Sequence, residues 1–404
     1  MPQPTATDRV PMRWLLLLGL VAALGPLSSD SYLPAFPTMR TDFATSNAMI
    51  QATLTAMLVG AAVGPLIMGP LSDIIGRRRP FIGSLLVFAV ISWAQAFAPT
   101  IQVLIGLRLV QGFAGMSASI MGQAILRDMT PDGDLMRSLS RMRLVTLTAP
   151  ILAPSFGVLA LRFTGWRGIF IVTGTMAVLL SVALLRAPAS AFRGRATDAD
   201  RVVRQSLDAY RYLLRDPRVR LGNVSAACMF TALMLYISNG SLVFRDALGI
   251  QPSMFGAIFT INALCMLAGS QLAPSVVARY GSQRVYVGAG AVAAFGLAIM
   301  LGSALVGQSA ARVFFVGLPI VVFTFGLSLI LPTKEVMELH PERAGAGAAL
   351  LRSNNMVLSG LAAVVLGLAP SSTAVPMVVG MFAFGAIAVG SWVRRGRLVG
   401  ELGA

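Results

Sequence analysis

Twelve long apolar runs, each of about 20 residues and nearly free of charge, divide this 404-residue chain. They cover residues 14–37, 47–68, 80–98, 102–125, 139–161, 166–186, 219–242, 253–277, 285–306, 312–332, 345–368 and 372–393. A helix must be about this long to cross the hydrocarbon core of a bilayer, where no water is present to satisfy an open backbone. The runs do not alternate in polarity, which excludes barrel strands. They also exclude a soluble enzyme: 12% of the residues are charged, against about 25% in soluble domains. The first run follows Arg9 and Arg13 as a secretory leader would. It is too long for a leader and eleven more follow, so it reads as a retained helix.

The basic residues give the orientation. The net charge of +16 would suit a nucleic-acid binder if the arginines lined one face, but they punctuate the apolar runs. With both termini in the cytoplasm, 25 of the 32 Lys and Arg residues fall on that side and five (Arg40, Arg162, Arg167, Arg245 and Arg312) at outer ends. Arg108 and Arg352 remain inside spans. Such a bias is the signature of cytoplasmic loops. The expected class is an all-α membrane protein with twelve transmembrane helices in two six-helix halves, both termini cytoplasmic. No nucleic-acid partner is expected, and a monomer is.

The longest polar stretch separates the spans six and six. It sets an N-terminal half at 1–186, a cytoplasmic linker at 187–218 and a C-terminal half at 219–404. Within it, residues 200–215 carry Val202, Val203, Leu207, Tyr210 and Leu213 at helical spacing. That stretch is either an amphipathic helix on the inner membrane surface or a solvated tether. Gly76-Arg77-Arg78 after the second span is echoed by Gly281-Ser282-Gln283-Arg284 after the eighth, as an internally repeated transporter requires. No loop is long enough for a folded signalling domain. Cys228 and Cys265 lie in apolar runs and His340 is the single histidine, so neither a metal nor a cofactor is expected. No nucleophile–base pair suggests an enzyme.

Several segments carry a resemblance. Gly69-Pro70-Leu71-Ser72-Asp73-Ile74-Ile75-Gly76-Arg77-Arg78 resembles the loop motif of the major facilitator superfamily between its second and third helices. Ile74 stands where the family has a basic residue. Asp73 is expected to pair with arginine and a helix N-terminus and to latch the cytoplasmic side. Arg108, Gln111 and Gly112 resemble the family's fourth-helix motif, in which an in-span arginine needs a partner. Ala149 to Gly157 resembles the exporters' fifth-helix motif, keeping Pro154 and Gly157 but with alanine for two glycines. Pro154 would kink that helix and Gly157 admit close packing, expected against span eight. Gating is therefore assigned to Gly69, Asp73, Gly76, Arg77, Arg78, Pro154 and Gly157.

Asp30 is the one acid of 16 well inside an apolar span. Asp30-Ser31-Tyr32-Leu33-Pro34-Ala35-Phe36-Pro37 resembles the first-helix motif of the Bcr/CflA drug exporters, as do Arg127-Asp128 and Gly165 to Phe170. The resemblance implies proton-coupled multidrug or antibiotic efflux across a bacterial inner membrane by alternating access. The alternative is export of an endogenous metabolite such as a sugar or amino acid. Asp30 and Arg108 are the expected proton-coupling pair; a fixed ion pair between them that only locks helices is the other reading. Tyr32, Gln111, Tyr236 and Asn239 are the expected contacts to a small-molecule cargo.

Overall fold

The computed structural model describes residues 10–130, 134–186 and 208–402. The linker reading at 200–207 lies outside the described residues; 208–215 are helical. Eleven helices among the described residues are long and apolar enough to cross a membrane. The remaining expected span, 139–161, falls on the helix Leu135–Phe163, whose described apolar part is Leu152–Phe163. The chain is a multi-pass membrane protein.

The helices are α1 (Met12–Asp30), α2 (Phe36–Asp42), α3 (Asn47–Ile75), α4 (Arg78–Ala96), α5 (Ile101–Met129), α6 (Leu135–Phe163) and α7 (Gly165–Leu185). They continue with α8 (Pro217–Asp246), α9 (Pro252–Tyr280), α10 (Ser282–Val306), α11 (Ala311–Ser328), α12 (Leu331–Leu339), α13 (Ala344–Gly367) and α14 (Val375–Leu402). Polar residues start helices where the apolar runs begin. Thr100 Oγ1 accepts from Val103 N at 3.4 Å, and Asp216 accepts from Arg218 N at 2.8 Å, each capping orphan backbone donors. Gly76 (φ +86°) and Gly281 (φ +79°) turn the chain between α3 and α4 and between α9 and α10, in a region that side-chain-bearing residues avoid.

The chain divides into two compact units, residues 1–32 with 59–205 and residues 33–58 with 206–404. The stretch 33–58 thus groups with the second unit, although the two apolar runs it cuts, 14–37 and 47–68, have their remaining residues in the first. In the first unit α1 packs on α5 and α6, and α4 on α5 and α7. Leu18, Leu85, Phe88, Ile125 and Leu184 are fully buried in its core. In the second unit α8 packs on α12, α13 and α14, α9 on α11, and α10 on α11 and α14. Its aromatic residues cluster: Tyr236 stacks on Phe259 at 5.0 Å, Phe255 on Phe259 at 4.3 Å, and Tyr286 on Trp392 at 4.6 Å.

Small residues set the closest helix approaches, as expected where lipid leaves packing as the main adhesive. A Cβ on Gly60 would lie 2.0 Å from Leu109 O on α5, and one on Gly326 2.0 Å from Met266 O on α9.

Candidate functional site

The in-span charges of the first unit sit at the end of α1. Pro26 cannot donate a backbone hydrogen bond, and serines flank the acid that follows. Ser31 N and Oγ both return to Leu27 O, at 3.1 and 2.5 Å, and keep the last turn closed. Asp30 accepts a hydrogen bond from Ser29 Oγ at 2.6 Å.

Arg108 is fully buried. Its guanidinium donates to Ser28 O at 3.3 Å, Ser28 Oγ at 3.2 Å and Gln111 Oε1 at 2.7 Å. The guanidinium carbon lies 3.6 Å from the Tyr32 ring centroid and 4.8 Å from that of Phe170. Gln111 donates to Ser92 Oγ at 2.7 Å and accepts from Gln95 Nε2 at 3.1 Å. An in-span cation is thus dissolved in neutral carbonyls, hydroxyls and π faces. Asp30 and Arg108 form no ion pair among the described residues. The structure therefore brings Arg108, Gln111 and Tyr32 together and leaves Asp30 beside them with its own serine.

Gly157 shows how the site is closed in. A Cβ there would fall 1.8 Å from Ser31 O, so α6 lies directly on the last turn of α1. The close approach is made to α1, where packing against span eight was expected. Motif spacing identifies a small residue but not the helix it faces. Pro154 is buried one turn earlier on α6.

At the other end of the same unit, Arg77 is clamped by two acids. It reaches Asp73 on α3 at 3.1 Å and Asp128 on α5 at 2.7 Å. Arg78 caps the end of α7 through Leu185 O at 3.1 Å. Gly76 supplies the turn, and Gly69 has open space around its α-carbon. Asp128 was legible only as part of Arg127-Asp128, since its pairing with Arg77 needs two helices side by side. Ser28, Ser92 and Gln95 were missed altogether. The one signal was the spacing of Ser92 and Gln95, which puts two polar groups on one helix face.

In the second unit Tyr236 and Asn239 lie one turn apart on α8. Tyr236 Oη accepts from Asn262 Nδ2 at 3.1 Å. Asn239 Oδ1 accepts from Gln51 Nε2 at 3.1 Å, and Gln51 also donates to Ser238 O at 2.8 Å. Nearby, Arg40 donates to Asp246 and to Asn47, both at 2.9 Å, and Ser371 Oγ donates to Asp246 at 2.5 Å. These bonds bind residues 33–58 to α8 and to the turn before α14.

The sequence family described as the Major Facilitator Superfamily matches residues 18–363. The chain is 30% identical over 391 residues, 94% of each chain, to an uncharacterized MFS-type transporter, YdgK, of Bacillus subtilis. It is 28% identical to a bicyclomycin resistance protein homolog of Haemophilus influenzae, over 67% of this chain and 68% of that one. A chloramphenicol resistance protein of Pseudomonas aeruginosa is 26% identical over 67% of this chain and 64% of its own length. Among solved structures, the fold is similar to that of a D-xylose–proton symporter (TM-score 0.75, 16% identity, 95% and 97% of the two chains covered). With one family covering most of its length and its spans folded as that family folds, the chain belongs to the major facilitator superfamily and is a membrane transporter, not an enzyme.

Proposed function

We propose that this transporter exports a drug-like small molecule across the bacterial inner membrane in exchange for protons, in the manner of the Bcr/CflA exporters, with both termini in the cytoplasm. One observation carries the reading. Asp30 is a carboxyl inside a span whose described partner is a neighbouring hydroxyl, while the adjacent cation donates to neutral groups. A carboxyl committed to an ion pair would stay ionised; this one is available to bind and release a proton. The drug-resistance names of two relatives support the cargo class, and the basic bias of the loops supports the orientation.

Alternating access then follows from competition. Cargo and proton each favour a different charge state of Asp30, so each biases the equilibrium between inward- and outward-open forms. Tyr32, Gln111 and Ser28 hold Arg108 in place. Tyr236 and Asn239 offer a phenol and an amide to a cargo rich in hydroxyl or amide groups, and the neighbouring phenylalanines cover its apolar part. Asp73, Arg77 and Asp128 act as the cytoplasmic latch.

The test is efflux of bicyclomycin and of chloramphenicol from proteoliposomes under an imposed pH gradient. Asp30→Asn is expected to abolish gradient-driven movement while leaving downhill exchange of the same compound. Full gradient-driven efflux by Asp30→Asn would overturn the proposal.

A further inference from the structure

The chain's single histidine does not lie in a span. His340 follows α12 and closes a corner built from three segments. Its Nε2 is 3.1 Å from Asp216 Oδ2, and its Nδ1 is 3.7 Å from Glu342 Oε1. The imidazole meets the Tyr212 ring edge-on at 5.2 Å, and the Arg343 guanidinium lies over that same ring at 3.7 Å.

Each neighbour has a fixed role. Asp216 caps α8 and takes the side chain of Arg218 at 3.0 and 3.2 Å. Burial works to raise the Asp216 carboxyl, but the bonds from Arg218 and His340 outweigh it and hold it at about 2. Asp216 is therefore ionised at any physiological pH. Arg218 is bound to Asp216 and Arg343 is turned to Tyr212. Lys334 and Glu338 on α12 pair with each other at 3.7 Å. Burial raises the Tyr210 hydroxyl, so it stays neutral. Tyr212 belongs to the helical stretch 208–215, and its neighbour Leu213 is buried with Val219, Ala226, Val336 and Leu351.

We propose that His340 is a pH-operated clasp fixing the end of the connecting segment, residues 208–216, to the α12–α13 corner of the second unit. Both ring nitrogens face carboxylate oxygens, which accept and never donate when ionised. Only the imidazolium presents an N–H to each, donating to Asp216 and facing Glu342 as an ion pair. The neutral ring has one N–H and must turn its other lone pair toward a carboxylate. Histidine changes charge between pH 5 and 8, within the range a cell visits. Protonation of the ring therefore tightens the clasp and deprotonation loosens it. With the proposed orientation, acidification of the cytoplasm tightens the segment that joins the two sets of spans; this last step rests on the transport reading above, and the clasp itself does not.

The test is amide hydrogen–deuterium exchange of residues 208–216 in the full-length detergent-solubilised protein, corrected for the intrinsic pH dependence of exchange. Between pH 8 and pH 5.5 protection is expected to rise about tenfold, the scale of one hydrogen bond to a charged group. His340→Gln keeps a neutral donor and should abolish that rise. His340→Arg keeps a permanent charge and should hold the segment protected at both values. A pH dependence that persists in His340→Gln, or its absence from the unaltered protein, overturns the clasp. The measurement uses neither cargo nor gradient, so its failure leaves the efflux proposal standing.

Discussion

In the first unit α1 lies on α6 and α4 on α5 and α7; in the second, α8 lies on α13 and α10 on α11 and α14. Glycine brings α3 against α5 in one and α9 against α11 in the other. A glycine with positive φ turns the chain after α3 and again after α9. The two units are thus built to one plan of helix pairs, yet two of their buried arginines, Arg108 in the first and Arg395 in the second, are held in opposite ways. The first holds Arg108 at the end of α1 with carbonyls, hydroxyls and aromatic faces. The second pairs its most buried arginine, Arg395, with Glu335 and lays it 4.9 Å from the Trp392 ring. Pairing helices and placing charges are separate problems. Packing sets the first and is repeated; the polar partners within reach set the second, and they differ between Arg108 and Arg395.

The sharpest way to break that comparison is to remove each arginine. Arg395→Met strands the Glu335 carboxylate, which is mostly buried beside it, and should cost about 3–5 kcal/mol of stability. Arg108→Met strands only neutral acceptors, one of which, Gln111 Oε1, keeps its bond from Gln95; the loss should be about 1–3 kcal/mol. Adding Glu335→Leu to Arg395→Met should restore most of the stability, since no lone charge is then left. Denaturant unfolding in detergent reads all three. Equal losses for the two arginines, or no rescue, would mean that the two units hold charge alike.

The turns test the repeat itself. Neither Gly76 nor Gly281 has atoms near where a Cβ would lie, so alanine at either position would meet backbone strain and no clash. Gly281, at φ +79° and ψ 151°, occupies a region that essentially only glycine reaches. Gly281→Ala should cost about 1–3 kcal/mol, and Gly76→Ala about 1–2 kcal/mol. A stable Gly281→Ala variant would show that the second turn relaxes freely and that the parallel is only superficial.

The sequence shows the spans because their length and lack of charge answer directly to the bilayer. It marks Asp30 and Arg108 because a charge in an apolar run stands out. It does not show what satisfies them. Serine and glutamine are unremarkable in apolar helices, and whether Ser28, Ser92 and Gln95 turn toward Arg108 depends on how α1, α4 and α5 are rotated. The reading of Asp30 and Arg108 as a fixed ion pair follows from charge alone, and charge alone says nothing of neutral competitors. Residues 33–58 teach the same lesson at longer range. Arg40 meets Asp246, and Gln51 meets Asn239, across 206 and 188 positions of chain, a separation invisible to local periodicity.

The smallest expected effect concerns the clamp on Arg77, which has no counterpart among the described residues of the second unit. In Gly281-Ser282-Gln283-Arg284 an uncharged pair follows the turn glycine, and Gln283 packs beside Gly396. Arg77 itself is 10% exposed, Asp128 21% and Asp73 43%. The better-covered acid should matter more, because water screens the other. Asp128→Asn should cost about 1 kcal/mol and Asp73→Asn, an i,i+4 pair on one helix, about 0.3–0.5 kcal/mol. Both asparagines keep the side chain's shape and an acceptor oxygen, so any difference reports charge. If the clamp works as a latch, both variants should also slow the transport cycle in that same order while cargo affinity stays the same. Turnover against cargo concentration in proteoliposomes separates the two, as a change in kcat at constant KM. Weaker binding at unchanged turnover would place these acids at the cargo site. A larger loss for Asp73 than for Asp128 would mean that the contact within the loop motif, and not the bridge to α5, holds the clamp.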